Sequence, residues 1–407
     1  MSITIRCLLI AIIIFVLFDK RCLAKEVVVN KIKILGANYT CERIIRNFLR
    51  EFNEGDTLDE QKLERYIQRI KERLLRTTWF YNVEIFLVPS RKCENCRNVI
   101  IELNEGYLYR FWGGKLFAGF GIENLARKGK YFGIELGWNR QIVSYYDRFI
   151  NFSNFFNFLE LGNKDIEYVS ARNNSFEIEV GQKIGLYSFY GYHLPEDMDI
   201  GIVIDAGGLY TQEYQSRCNF AFIGIKEKID RRNDIFSATK GDFFSVSASY
   251  DVVNSIGKIE ADFRKYYPVI KKNLSLAFRS HLGLQQSPPD IQYFYYSLRG
   301  IDGVRSSDGD FIINRNVVDL HVELRWNIGS FAILGIFTVR EEGVLFFDTG
   351  GIVFDHLKTL KIENTGYAFG VGYRLYLDKP VYLPLRLEIG LNKRREFSCF
   401  FSTTKPF

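Results

Sequence analysis

Val318-Asp319-Leu320-His321-Val322-Glu323-Leu324-Arg325-Trp326 alternates without a break between apolar and titratable residues. In an extended chain successive side chains point to opposite faces, so five apolar groups share one face and Asp319, His321, Glu323 and Arg325 share the other. Such a strand predicts lipid or a core on one side and water on the other. The same split recurs in residues 130–139, 176–181, 259–265, 274–284 and 385–392. A soluble sandwich could bury the apolar faces, but it would leave many charged faces and open sheet edges. Closing the sheet into a barrel removes the edges and accounts for both faces. At about 19 residues per strand and connection, the chain after residue 105 holds roughly 16 tilted strands.

Composition agrees with that reading. The chain is 47% hydrophobic and 16% aromatic, with 33 Gly and 8 Pro, yet beyond Ala24 no apolar run reaches the roughly 20 residues a membrane helix needs. Short alternating segments rich in aromatics fit a membrane barrel with aromatic girdles. At the start, Arg6, the apolar run 7–18 and Cys22-Leu23-Ala24 form the pattern of a secretory signal peptide, expected over residues 1–24. Loss of Arg6, Lys20, Arg21 and Asp19 with that segment lowers the +6 formal charge to about +4. No basic run argues for nucleic acid, and none is expected as a partner.

Residues 26–105 follow a different period and predict a small α+β domain ordered strand, helix, helix, strand, strand. Residues 27–35 are rich in β-branched side chains and stop at the turn Gly36-Ala37-Asn38. Thr40 is placed to cap a helix with Ile44, Ile45, Phe48, Leu49 and Phe52 on one face. Thr57-Leu58-Asp59-Glu60 reads as a capping box for a second helix that carries Leu63, Ile67, Ile70 and Leu74. Two strands follow, at 83–88 and 99–103.

Five cysteines remain after residue 24: Cys41, Cys93, Cys96, Cys218 and Cys399. An odd number excludes a fully paired framework. Cys93-Glu-Asn-Cys96 is half of a zinc site without a second half, so no metal is expected; a hairpin-closing disulfide and a plain turn both remain open.

The order of motifs resembles the BamA/TamA superfamily, whose members carry POTRA domains ahead of a 16-stranded outer-membrane barrel. The resemblance rests on Gly36-Ala37-Asn38, Gly55-Asp56-Thr57-Leu58, Trp79-Phe80-Tyr81-Asn82-Val83 and Glu102-Leu103-Asn104-Glu105 for a single POTRA domain (26–105). For the barrel (106–407) it rests on Glu123-Asn124-Leu125 with Gly129, on Leu298-Arg299-Gly300-Ile301, and on Phe346-Phe347-Asp348-Thr349-Gly350. The resemblance implies that Arg299 folds inward beside Gly300 and Ile301 and pairs with Glu323 and Asp348, next to Phe346 and Gly350. Parity permits this, since Val344, Phe346 and Asp348 share a face. Phe401 and Phe407 resemble the terminal aromatics that direct barrels to their insertion machinery, although Pro406 departs from the usual pattern.

What the resemblance implies is an outer-membrane assembly factor with its POTRA domain in the periplasm. It would help insert or translocate polypeptides, with neither an enzymatic reaction nor a cofactor. Its partners would be outer-membrane lipids, unfolded outer-membrane or secreted polypeptides, and periplasmic chaperones or accessory subunits. The alternatives are a two-partner secretion pore, which usually has two POTRA domains and a plug helix, and a passive channel or surface receptor. His193, His281, His321 and His356 stand in no catalytic spacing.

Overall fold

The computed structural model describes residues 26–402 apart from 78, 107–108, 115–116, 139, 173–174, 196, 212–216, 235–236, 271–272, 287–295, 298–303, 306–312, 315, 334–336, 351–352, 355–359, 362–365 and 380–382. The expected signal peptide lies outside the described residues.

The N-terminal domain runs β1 (Glu26–Leu35), α1 (Glu42–Arg46), β2 (Thr57–Asp59), α2 (Glu60–Arg76), β3 (Phe80–Pro89) and β4 (Cys96–Glu105). Its sheet has the order β2-β1-β4-β3, with β1 parallel to β4. Val27, Val29, Val83, Val99 and Ile101 from the sheet meet Leu63, Ile70 and Leu74 of α2 in one dry core.

Two local expectations change. Thr57 belongs to β2 and pairs with Val28, and the α2 cap is Asp59, whose carboxylate accepts the Lys62 backbone N–H at 2.9 Å. The first helix stops at Arg46 although its apolar stripe continues. The Phe48 carbonyl accepts from the Arg73 guanidinium at 2.6 Å, which takes an acceptor a longer helix would use internally. Phe48, Leu49 and Phe52 still bury, in a non-helical segment. Asp59→Ala is expected to cost about 1 kcal/mol of local stability, read as faster amide exchange in the first turn of α2 with exchange in the barrel unchanged.

From Tyr109 the chain forms a 16-stranded antiparallel sheet, the number that strand length predicts. Its strands are β5 (Tyr109–Gly114), β6 (Phe117–Leu125), β7 (Lys130–Gly137), β8 (Arg140–Asp147), β9 (Phe155–Arg172), β10 (Ser175–Leu194), β11 (Met198–Thr211), β12 (Arg217–Asp230), β13 (Gly241–Asp251), β14 (Ile256–Ile270) and β15 (Leu274–Gln286). After the small loop hairpin β16 (Tyr296–Ser297) and β17 (Ile313–Asn314) come β18 (Val317–Ile333) and β19 (Phe337–Gly350). A second loop hairpin, β20 (Val353–Phe354) and β21 (Leu360–Lys361), precedes β22 (Gly366–Lys379), β23 (Leu383–Asn392) and β24 (Phe397–Ser402). Among the described residues no backbone ladder joins β5 to the other end of the sheet, although β5 lies against β23.

The sheet is inside-out relative to a soluble protein. Ile200, Ile202 and Ile204 on β11, Ile223 and Ile225 on β12, and Phe369, Val371 and Tyr373 on β22 are exposed, an apolar band suited to lipid. The charged face of residues 318–326, for which alternation predicts water, is dry: Asp319, His321, Glu323 and Arg325 are each at most 1% exposed. The reason is a plug of ion pairs described below. Cys93 and Cys96 form a disulfide at the tip of the β3–β4 hairpin, while Cys41, Cys218 and Cys399 are free thiols.

Candidate functional site

Strand parity delivers the inner wall. β18 presents Asp319, His321, Glu323 and Arg325; β19 presents Glu342, Phe346 and Asp348; β22 presents Arg374 and Tyr376; β23 presents Arg386 and Glu388. Ladder register places His321 opposite Asp348, Glu323 opposite Phe346, and Arg374 opposite Arg386. Into this wall comes Arg305, from the loop between β15 and β18. Its Nε donates to Asp348 Oδ2 at 2.7 Å and its Nη2 to Asp348 Oδ1 at 2.6 Å, a two-pronged grip. Nη1 donates to Glu323 at 2.7 Å and to Glu388 at 3.1 Å. The guanidinium carbon lies 3.8 Å from the centroid of the Phe346 ring.

Further cations close the network. Arg374 Nη2 donates to Glu323 at 2.7 Å and to Glu388 at 2.6 Å. Arg325 holds the other oxygen of Glu323 at 2.7 Å, and Arg386 holds Glu388 at 2.9 Å. His321 lies between Asp348 at 3.0 Å and Asp319 at 2.7 Å. Every carboxylate here is matched by a guanidinium or imidazole, which is the condition under which buried charges are tolerated. The network binds the loop to four consecutive strands of the sheet and fills the lumen on that side.

At the other end of the barrel the N-terminal domain is docked onto the turns. Trp79, 1% exposed, donates its indole N–H to Glu123 at 3.2 Å. Asn124, at φ 51°, donates to Thr40 Oγ1 at 2.8 Å and accepts the Gly129 N–H at 2.8 Å. That bond explains Thr40, which periodicity places as a helix cap: its hydroxyl joins the two domains instead. Gly129 has φ +70°, and a Cβ there would come within 3.0 Å of the Trp79 ring, so only glycine fits both the turn and the joint. Arg73 Nε donates to Asp197 at 2.6 Å while Arg73 Nη2 holds Glu51 at 2.5 Å, and Arg76 reaches Asp197 at 2.9 Å. Burial by itself would lower the Arg73 pKa, but the carboxylates of Asp197 and Glu51 outweigh it and raise the value. At Arg50 burial, with Arg73 nearby, outweighs the carboxylates of Asp199, Asp197 and Glu51 and lowers the pKa to about 10.

Residues 27–106 match the POTRA family, described as a surface antigen variable number repeat, and residues 209–398 match the Omp85 superfamily domain. The chain belongs to the Omp85 superfamily. It is an outer-membrane protein with one POTRA domain ahead of a large barrel. Among solved structures, BamA from Haemophilus ducreyi lacking POTRA domains 1–3 is similar at TM-score 0.52 and 15% identity, over 93% of this chain and 85% of that one. CdiB from Escherichia coli is similar at TM-score 0.59 and 14% identity, over 93% and 76%. CdiB from Acinetobacter baumannii is similar at 0.56 and 12%, over 93% and 74%. No curated protein matches the chain.

Within this Omp85 fold the motif residues fall unevenly. Glu323, Phe346 and Asp348 converge in the lumen, and Gly350 ends β19 opposite Asp319 and Gly366. Arg299, Gly300 and Ile301 lie outside the described residues, as do His356 and Phe407. The place at Glu323 and Asp348 that the resemblance implies for Arg299 is occupied by Arg305. Sequence reasoning did not single out Arg305, because it is followed by serine and carries no Arg-Gly mark. Phe401 is exposed on the outer face of β24. Glu388 and Arg386 could have been found by alternation along residues 385–392; Arg374 carried no comparable mark.

Proposed function

We propose that this Omp85 chain helps polypeptides enter or cross the outer membrane by backbone pairing, without covalent chemistry. The POTRA domain then sits in the periplasm, and the working edge of the barrel is the seam between β5 and β24. The observation that carries this reading is the seam itself: β5 and β24 are six residues each, stand at opposite ends of the sheet order, and share no ladder among the described residues. Unpaired N–H and C=O groups on such edges are a template for an incoming strand. The POTRA strand β3 offers a second edge, with Tyr81, Phe86 and Val88 exposed along it.

The filled lumen beside Arg305 argues against a passive channel. The similarity to CdiB keeps a two-partner export pore as the second reading, with the same edges and a secreted client. Photo-crosslinkers at Phe86 on β3 and at Tyr109 on β5 are expected to trap newly exported polypeptides, and depletion is expected to lower the level of client barrel or secreted proteins. Normal levels of all of them, with no crosslinked clients, would overturn the proposal.

A further inference from the structure

Between the POTRA domain and the barrel wall lies a cavity of about 810 Å³, lined by POTRA residues, by β6 to β14, and at the seam by Phe111, Trp112 and Pro384. Among its carboxylates Asp197 pairs with Arg73, Asp230 with Arg232 and Glu135 with Arg140, while Asp199 bonds the His193 imidazole and Glu123 accepts from the neutral Trp79 indole. Four further cations line the cavity. Among the described residues Arg50, Arg148, Lys226 and Lys228 make no ion pair.

Aromatic faces, and for Arg50 also the Asn47 and Leu194 carbonyls, hold these cations instead of carboxylates. Arg148 lies 5.1 Å from the Tyr146 ring and 5.5 Å from the Trp79 ring. Lys226 lies 5.7 Å from Phe189, Lys228 5.9 Å from Phe243, and Arg50 6.0 Å from Phe149. Arg148 Nε is buried without a hydrogen-bond partner. A ring face stabilises a cation by only about 0.5–2 kcal/mol, so each of these groups keeps donor capacity for an anion that enters a low-dielectric space.

We propose that this cavity binds an acidic, aromatic-containing extended segment of the client polypeptide; the inference rests on the function proposed above and names the part of the client recognised. The cations are spread over the POTRA domain, the β8–β9 turn and β12 rather than converging on one point, which suits carboxylates along a chain better than a single phosphate. Phe156, Phe158 and Phe189 between them offer faces for apolar side chains. The cavity abuts β5, whose outer edge has no partner strand among the described residues, so a segment held there presents its flanking residues to the seam.

The test uses the full chain in lipid nanodiscs and a fluorescein-labelled ten-residue peptide alternating Asp with Phe and Tyr. The acidic peptide is expected to bind, and the same peptide with Lys for Asp to bind at least about tenfold more weakly. K226Q/K228Q, and separately R148Q, are expected to weaken binding about tenfold, while K33Q on the exposed face of β1 leaves it unchanged. Heat-modifiable migration confirms that each variant is folded. Equal binding of both peptides, unchanged affinity in the folded cavity variants, or complete displacement by millimolar inorganic phosphate would each overturn the inference, the last by marking a simple anion or headgroup site. Seam crosslinks at Tyr109 that persist in K226Q/K228Q while peptide affinity is unaltered would remove this inference and leave the proposed function standing.

Discussion

Arg305→Ala is expected to destabilise the barrel by on the order of 3–5 kcal/mol, the cost of stranding buried charge when one partner is removed. The arginine and its three carboxylates, Asp348, Glu323 and Glu388, are all essentially without solvent exposure, so no water replaces the lost bonds. Arg374 partly compensates Glu323 and Glu388, whereas among the described residues His321 is the one other side chain bonded to the Asp348 carboxylate. The damage should therefore concentrate at β19. Heat-modifiable migration and protease sensitivity of the loop between β15 and β18 read the effect. Arg299→Ala is the informative control: with Asp348 and Glu323 already engaged by Arg305, it is expected to leave migration close to the parent. A folded, protease-resistant Arg305→Ala barrel together with a disrupted Arg299→Ala barrel would reverse the assignment.

Trp79→Ala carries the second large effect, about 3–5 kcal/mol for deleting a buried aromatic. Its ring packs edge-on against Phe48 at 5.9 Å in the POTRA core, while its N–H bonds Glu123 of the barrel. Both the domain and its joint should loosen, so limited proteolysis is expected to release residues 26–105 from an intact barrel. Trp79→Phe separates the two contributions, because it keeps most of the packing and loses the Glu123 bond. Equal protection of the POTRA domain in the parent and in Trp79→Ala would refute the joint.

Sequence alone determined the barrel, because an inside-out sheet writes its two environments into alternate residues: Leu320 and Val322 for lipid, His321 and Glu323 for the interior. It also determined the POTRA domain, where Leu63, Ile70 and Leu74 keep helical spacing against β-branched strands. It placed Glu323 and Asp348 on inward faces, since parity is local. Three things were decided only by the tertiary structure. Alternation marks a residue as lumenal but not as wet, and whether Asp319 and Glu323 meet water depends on which distant groups arrive; here Arg305, Arg374 and Arg386 come from three other segments and exclude it. That Arg305 reaches the wall is fixed by the path of the backbone, which the chemistry of an arginine in a loop does not reveal. Thr40, a helix cap by its spacing, spends its hydroxyl on Asn124 from 84 residues away, a partner that no local pattern can encode.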